Sequence, residues 1–169
     1  MADHAANAET FRLEVRRTIP RPVAEVYAAW TTADAIAQWM AMPGCEQVKV
    51  QCEARAGGRL VIDLVHQGKP WREDGTWLEV VPNRRLRFTW VTPETPAAVN
   101  SVVTVEFTDR GASTDLTLTH TGFPNQQERD SHDAGWQQIV DVIIAAAKAG
   151  LTVATLARAA LELQRASRA

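Results

Sequence analysis

The chain has 169 residues, 46% of them hydrophobic, and a formal net charge of −2 with both signs dispersed along it. A domain of that length buries enough surface to fold without disulfides or a metal, and a nearly balanced charge excludes a general nucleic-acid backbone binder. No run approaches the ~20 apolar residues of a membrane span, and the opening MADHAANAETF lacks the apolar stretch of a secretory signal, so a soluble cytoplasmic protein is expected.

Residues 1–10 are small, polar and aperiodic, and are expected to be disordered. Phe11, Leu13 and Val15 alternate with Arg12, Glu14 and Arg16, a strand to about Ile19. Pro20-Arg21-Pro22 ends it, and Pro22 suits the first turn of a helix carrying Val23, Val26, Tyr27 and Trp30 on one face. Thr31 or Thr32 starts a second short helix with Ile36, Trp39 and Met40 inward, and Pro43-Gly44 breaks it. From there to His120 the period is mostly two. Strands are expected near 46–52, 58–66, 71–81, 84–92, 101–109 and 113–121, separated by turn-forming glycine, proline and asparagine, with a longer loop from Thr92 to Asn100. Inward positions are Leu60, Ile62 and Leu64; Leu86, Phe88 and Trp90; Val103, Val105 and Phe107; and Leu116 and Leu118. Short turns imply an antiparallel meander.

The segment from His132 to Ala149 carries Trp136, Ile139, Val140, Ile143, Ile144 and Ala147 as one helical stripe. At ~1.5 Å per residue it is a rod of roughly 27 Å, capped by Asp130 or Ser131 and stopped by Gly150. A sheet wrapped around this helix would leave room for a pocket. Residues 150–169 form a second helical pattern, with Val153, Leu156, Ala157, Ala160 and Leu161 apolar; it either closes the pocket or pairs two subunits as a homodimer. Cys45 and Cys52, if they share a strand, stand ~23 Å apart on opposite faces. A bridge is conceivable only if a turn separates them, and a reducing compartment disfavours it, so two ordinary thiols are expected.

Strand, two short helices, a six-stranded meander and a long helix follow the order of the α+β helix-grip fold of START-like domains and the birch pollen allergen. Within it, the chain resembles the family named after the activator of the heat-shock protein 90 ATPase. The matching words are Ile19-Pro20-Arg21-Pro22-Val23-Ala24-Glu25-Val26-Tyr27 with Trp30, Trp39, Gly57-Gly58-Arg59-Leu60, Gly75-Thr76-Trp77-Leu78-Glu79-Val80, Arg85-Leu86-Arg87-Phe88-Thr89-Trp90, Thr114 to His120, and Gly135-Trp136. Their order over residues 11–149 carries the resemblance; the extension over residues 150–169 departs from it. The resemblance implies a hydrophobic-ligand binder, with polyketide cyclases, resistance proteins and a few chaperone partners among the relatives, and it carries fold far better than function.

Six tryptophans against one tyrosine is the unusual feature of the composition. Trp30 and Trp39 from the short helices, Trp77 and Trp90 from the sheet and Trp136 from the long helix converge in such a fold, as an apolar pocket or a plain aromatic core requires; Trp71, beside a turn, is set aside. His120 and His66 are the polar groups expected to face inward by strand parity, to orient a ligand or to be satisfied within the core; Asp63 faces outward. Phe123 is a candidate lid residue and Gly135 allows close approach to the helix. The candidate ligand site is therefore Trp30, Trp39, Trp77, Phe88, Trp90, Phe107, His120, Phe123, Trp136 and Val140. No nucleophile elbow, phosphate loop or helical metal motif occurs, so no catalytic residues, metal or cofactor are assigned. The arginines Arg84, Arg85, Arg87 and Arg72 read as a solvated face rather than a docking patch for an acidic partner. The preferred expectation is a binding domain for a small hydrophobic, aromatic or polycyclic molecule. The alternatives are a module docking on a chaperone ATPase and a cyclase-like enzyme using His120.

Overall fold

The computed structural model describes residues 11–93 and 101–150. Expectations for residues 1–10, for most of the loop after Thr92 and for the extension after Gly150 fall outside the described residues. The elements are β1 (Leu13–Ile19), α1 (Val23–Thr31), α2 (Ala33–Met40), β2 (Cys45–Cys52), β3 (Arg59–His66), β4 (Lys69–Val81), β5 (Arg85–Trp90), β6 (Ser101–Asp109), β7 (Thr114–Thr121) and α3 (Gln126–Lys148). This is the α+β helix-grip arrangement that the order of patterns implies.

All strands pair antiparallel in one seven-stranded sheet of order β1-β7-β6-β5-β4-β3-β2. Every neighbour but one follows in sequence. The exception is β1, which joins β7, so β1 and β2 are the two edges and the α1–α2 pair carries the chain from one edge to the other. α3 lies against β1, and α2 lies against β2 and touches α3, which closes the curl of the sheet around the long helix. No described helix is long and apolar enough to cross a membrane.

Strand alternation sets the core. Leu86, Phe88 and Trp90 of β5, Val103, Val105 and Phe107 of β6, and Leu116, Leu118 and His120 of β7 all face inward and are buried. One cross-strand row runs Trp77, Phe88, Val103, His120, Leu13. Trp30, Trp39 and Trp136 close over it with ring centroids 5.2–6.3 Å apart, in the offset geometry that aromatic quadrupoles favour. The opposite face is charged. Arg72 pairs with Asp63 at 2.6 and 2.9 Å, and Arg85 and Arg87 lie 3.7 and 3.9 Å from Glu79. That is the solvated arginine face the sequence implies, and each exposed pair contributes roughly 0–1 kcal/mol.

Two local expectations need correcting. α3 begins at Gln126, not near His132, and its cap is Asn125, whose side chain accepts from the Glu128 N–H at 2.9 Å; Asp130 and Ser131 are already inside the helix. The apolar stripe begins only at Trp136, so periodicity underestimates a helix whose first turns leave the core. At ~1.5 Å per residue the 23-residue helix spans roughly 35 Å. It stops where expected, at Gly150, which has φ +69° in the left-handed conformation common after a helix C-terminus. The second correction concerns Cys45 and Cys52, the two ends of β2. Cys45 pairs with His66 and Gln47 with Val65, so Glu46 is an extra residue that shifts the alternation by one. Cys45 therefore shares the inner side of β2 with Val48, Val50 and Cys52 instead of opposing Cys52. Both are free thiols, and burial pushes the Cys52 thiol up to about 11.

Candidate functional site

β4 is the longest strand, and its two halves have different neighbours. From Trp77 to Val81 it pairs with β5, but from Lys69 to Thr76 its ladder is with β3, and among the described residues the isolated bridge Asp74–Val91 and the Thr92 hydroxyl on Glu73 tie it to the chain after β5. At Gly75 the β5 backbone comes so close that a Cβ would stand 2.5 Å from the Thr89 carbonyl oxygen. Beyond that point the β3–β4 hairpin departs from β5 and leaves a gap before the first half of α3. The result is a cleft of about 550 Å³. Met40, Leu64, Trp71, Trp90, Trp136 and Ile139 form its apolar walls, and Gly135 adds no side chain to fill it.

A carboxylate sits in this wall. Strand parity turns Glu73, Gly75 and Trp77 inward together, and Glu73 is only 5% exposed. Burying a carboxylate costs several kcal/mol unless donors replace water. Here the Trp71 indole N–H donates to Oε1 at 2.7 Å, and the Thr92 hydroxyl lies 3.0 and 2.9 Å from the two oxygens. Glu73, Thr92 and Trp71 all line the cleft. Among the described residues no three His, Cys, Asp or Glu side chains gather as a metal-binding group.

Three histidines stand near, in three different situations. His120 is fully buried, its Nδ1 accepting from the Trp136 indole N–H at 3.0 Å. That bond places the ring proton on Nε2, which has no hydrogen-bond partner among the described residues. Burial, and then the neighbouring His132, push its pKa well below the ordinary 6.5, so it is neutral in the folded protein. His132 lines the cleft with its side chain 27% exposed, and its Nδ1 is 2.8 Å from the Glu128 carbonyl one turn earlier. His66 is at the far end of β3, its Nε2 3.1 Å from the Pro43 carbonyl, and it too borders the cleft.

Of the ten residues marked from sequence, Trp90 and Trp136 form part of the cleft. Trp30, Trp39, Trp77, Phe88, Phe107 and Val140 are packed in the core and do not line it, and His120 lies behind Trp136. Phe123 is buried against the His120 and His132 rings at 4.3 and 5.0 Å. It borders a separate void of about 10 Å³, the room of a single water molecule, shared with Trp90, Thr92 and His132. Sequence reasoning passed over Glu73 and Thr92, weighed His132 only as a helical metal ligand, and set aside Trp71. Signals for two of them were present: Glu73 shares its parity with Trp77, and His132 precedes Trp136 by one helical turn.

The sequence profile described as Activator of Hsp90 ATPase homolog 1-like protein matches residues 20–148. No curated protein matches the chain. Among solved structures, protein CV1439 from Chromobacterium violaceum is similar with a TM-score of 0.74 and 24% identity, over 81% of this chain and 96% of that one. MLL2253 from Mesorhizobium loti is similar with a TM-score of 0.66 and 27% identity, over 79% and 94%. DynU16, a protein in the dynemicin biosynthetic locus, is similar with a TM-score of 0.67 and 22% identity, over 85% of this chain and 49% of that one.

Proposed function

The chain belongs to the Activator of Hsp90 ATPase homolog 1-like family, and within that family we propose that it is a binding domain for a small hydrophobic, aromatic or polycyclic molecule. The ligand occupies the cleft between the β3–β4 hairpin and the first half of α3. One observation carries this reading: three tryptophans from three elements, Trp71 of β4, Trp90 of β5 and Trp136 of α3, border one cleft of about 550 Å³. That volume lies within the range of small-molecule sites, roughly 300–1,000 Å³. Trp71 is 44% exposed, apolar area that a bound ring would remove from water at about 25 cal/mol per Å². Two further points are in keeping with it. A similar fold occurs in the dynemicin biosynthetic locus, a setting for small-molecule chemistry, and two free thiols suit a reducing cytoplasm.

The test is titration of the protein with naphthalene and phenanthrene, followed by tryptophan fluorescence and by melting temperature. Binding is expected to alter the emission and to raise the melting point. Trp71→Ala, which removes an exposed wall together with the indole donor to Glu73, should weaken binding at least five- to tenfold, roughly the worth of one aromatic contact. If neither probe changes emission or melting, the domain does not bind aromatic molecules in this cleft.

A further inference from the structure

The donors and acceptors of the cleft specify the polar end of its ligand, an inference that rests on the binding reading above. The Glu128 carbonyl, 2.8 Å from His132 Nδ1, can only accept, so Nδ1 carries the ring proton. The Glu128 carboxylate, 4.0 Å from the same nitrogen, favours that placement. With Nδ1 as the donor, the lone pair of the imidazole is on Nε2.

The groups around it are also acceptors. Thr92 directs its single hydroxyl proton at Glu73, which leaves its oxygen lone pairs. The indole N–H groups of Trp71 and Trp136 are committed to Glu73 and His120. Gln67 on the β3–β4 turn and Lys69 at the start of β4, which can donate, are not on the helix, while Ser131 on α3 can play either part. The α3 side of the cleft thus offers acceptors beside Trp90 and Trp136 and carries the Glu128 carboxylate, which repels an anionic ligand.

We infer that the ligand is a neutral aromatic molecule bearing a hydroxyl group, a phenol, whose O–H donates to His132 Nε2 while its ring lies against Trp90 and Trp136. His132 is then the residue that distinguishes a phenol from a bare ring and from an ether, which cannot donate.

Calorimetric titration of the whole chain with naphthalene, 1-naphthol and 1-methoxynaphthalene tests this. Expected is a preference of roughly tenfold for 1-naphthol over both others, the worth of one hydrogen bond. The preference should disappear in His132→Phe, which keeps a ring and removes the acceptor. In the unsubstituted protein, imidazole ¹⁵N spectra should show the His132 Nε2 resonance moving with 1-naphthol and not with naphthalene, a readout independent of how well the variant folds. Equal affinity for all three probes overturns the inference and leaves the binding reading intact. A naphthol preference that survives His132→Phe, with a stationary Nε2 resonance, overturns the role of His132. If none of the three binds, the binding reading fails and this inference with it.

Discussion

At the scale of single residues, His120 shows how burial turns a reactive group into a structural one. Parity with Leu116 and Leu118 points it inward, and the folded chain places it there, fully buried. Its Nδ1, however, is the acceptor for the Trp136 indole, a hydrogen bond that ties the sheet to α3. With its pKa well below 6.5 in the folded state, the unfolded chain binds a proton at this position that the folded one refuses. Stability is therefore complete above about pH 6.5 and is lost as pH falls below it, by up to about 1.4 kcal/mol per pH unit. His120→Gln keeps an acceptor for Trp136 and removes the titration. Urea unfolding between pH 5 and 7 should show a shallower pH slope in that variant by about one proton; an unchanged slope would place the acid sensitivity elsewhere. His132, on the same helix as Trp136, has the opposite situation: partly exposed, tautomer held by a carbonyl, and bordering the cleft.

At the scale of elements, the cap of α3 and the close approach at Gly75 are the sensitive points. Asn125→Ala removes the acceptor for the Glu128 N–H and should cost about 1 kcal/mol. Asp130→Ala and Ser131→Ala, inside the helix, should stay within about 0.5 kcal/mol; the reverse order in chemical denaturation would move the helix start back toward His132. Gly75→Ala would put a methyl group 2.5 Å from the Thr89 carbonyl oxygen and 3.2 Å from that of Leu60. Backbone on both sides has little room to yield, so a loss of roughly 1–3 kcal/mol is expected, measurable by thermal unfolding. This glycine lets β4 hold β3 and β5 together where the hairpin departs from the sheet, and so positions the cleft. The bulge at Glu46 does similar work in β2, turning Cys45 toward the cleft that strict alternation would turn it away from.

At the scale of the whole molecule, a ligand that binds only the folded chain stabilises it by mass action. At about 100 times its Kd the gain is about 2.7 kcal/mol, or roughly 5–10 °C in melting temperature for a domain of this size. A 1-naphthol titration that leaves the melting temperature flat at concentrations saturating by calorimetry would mean that the site persists in the unfolded chain or lies outside the fold. What the sequence by itself determined was the set of elements, their order and the family. Period-two alternation from β3 to β7, the stripe from Trp136 to Ala147 and the proline and glycine breaks are local signals, each set by side chains facing a common core. Only the tertiary structure decided which aromatics fill that core and which border a cleft. Trp30, Trp77 and Phe88 are as apolar in sequence as Trp71 and Trp90, and the difference arises where β5 ends, where Gly75 admits the neighbouring backbone and where α3 begins. A strand reveals its inward face through its own residues, but a cavity is space that several distant segments together leave unfilled, and no single segment encodes it.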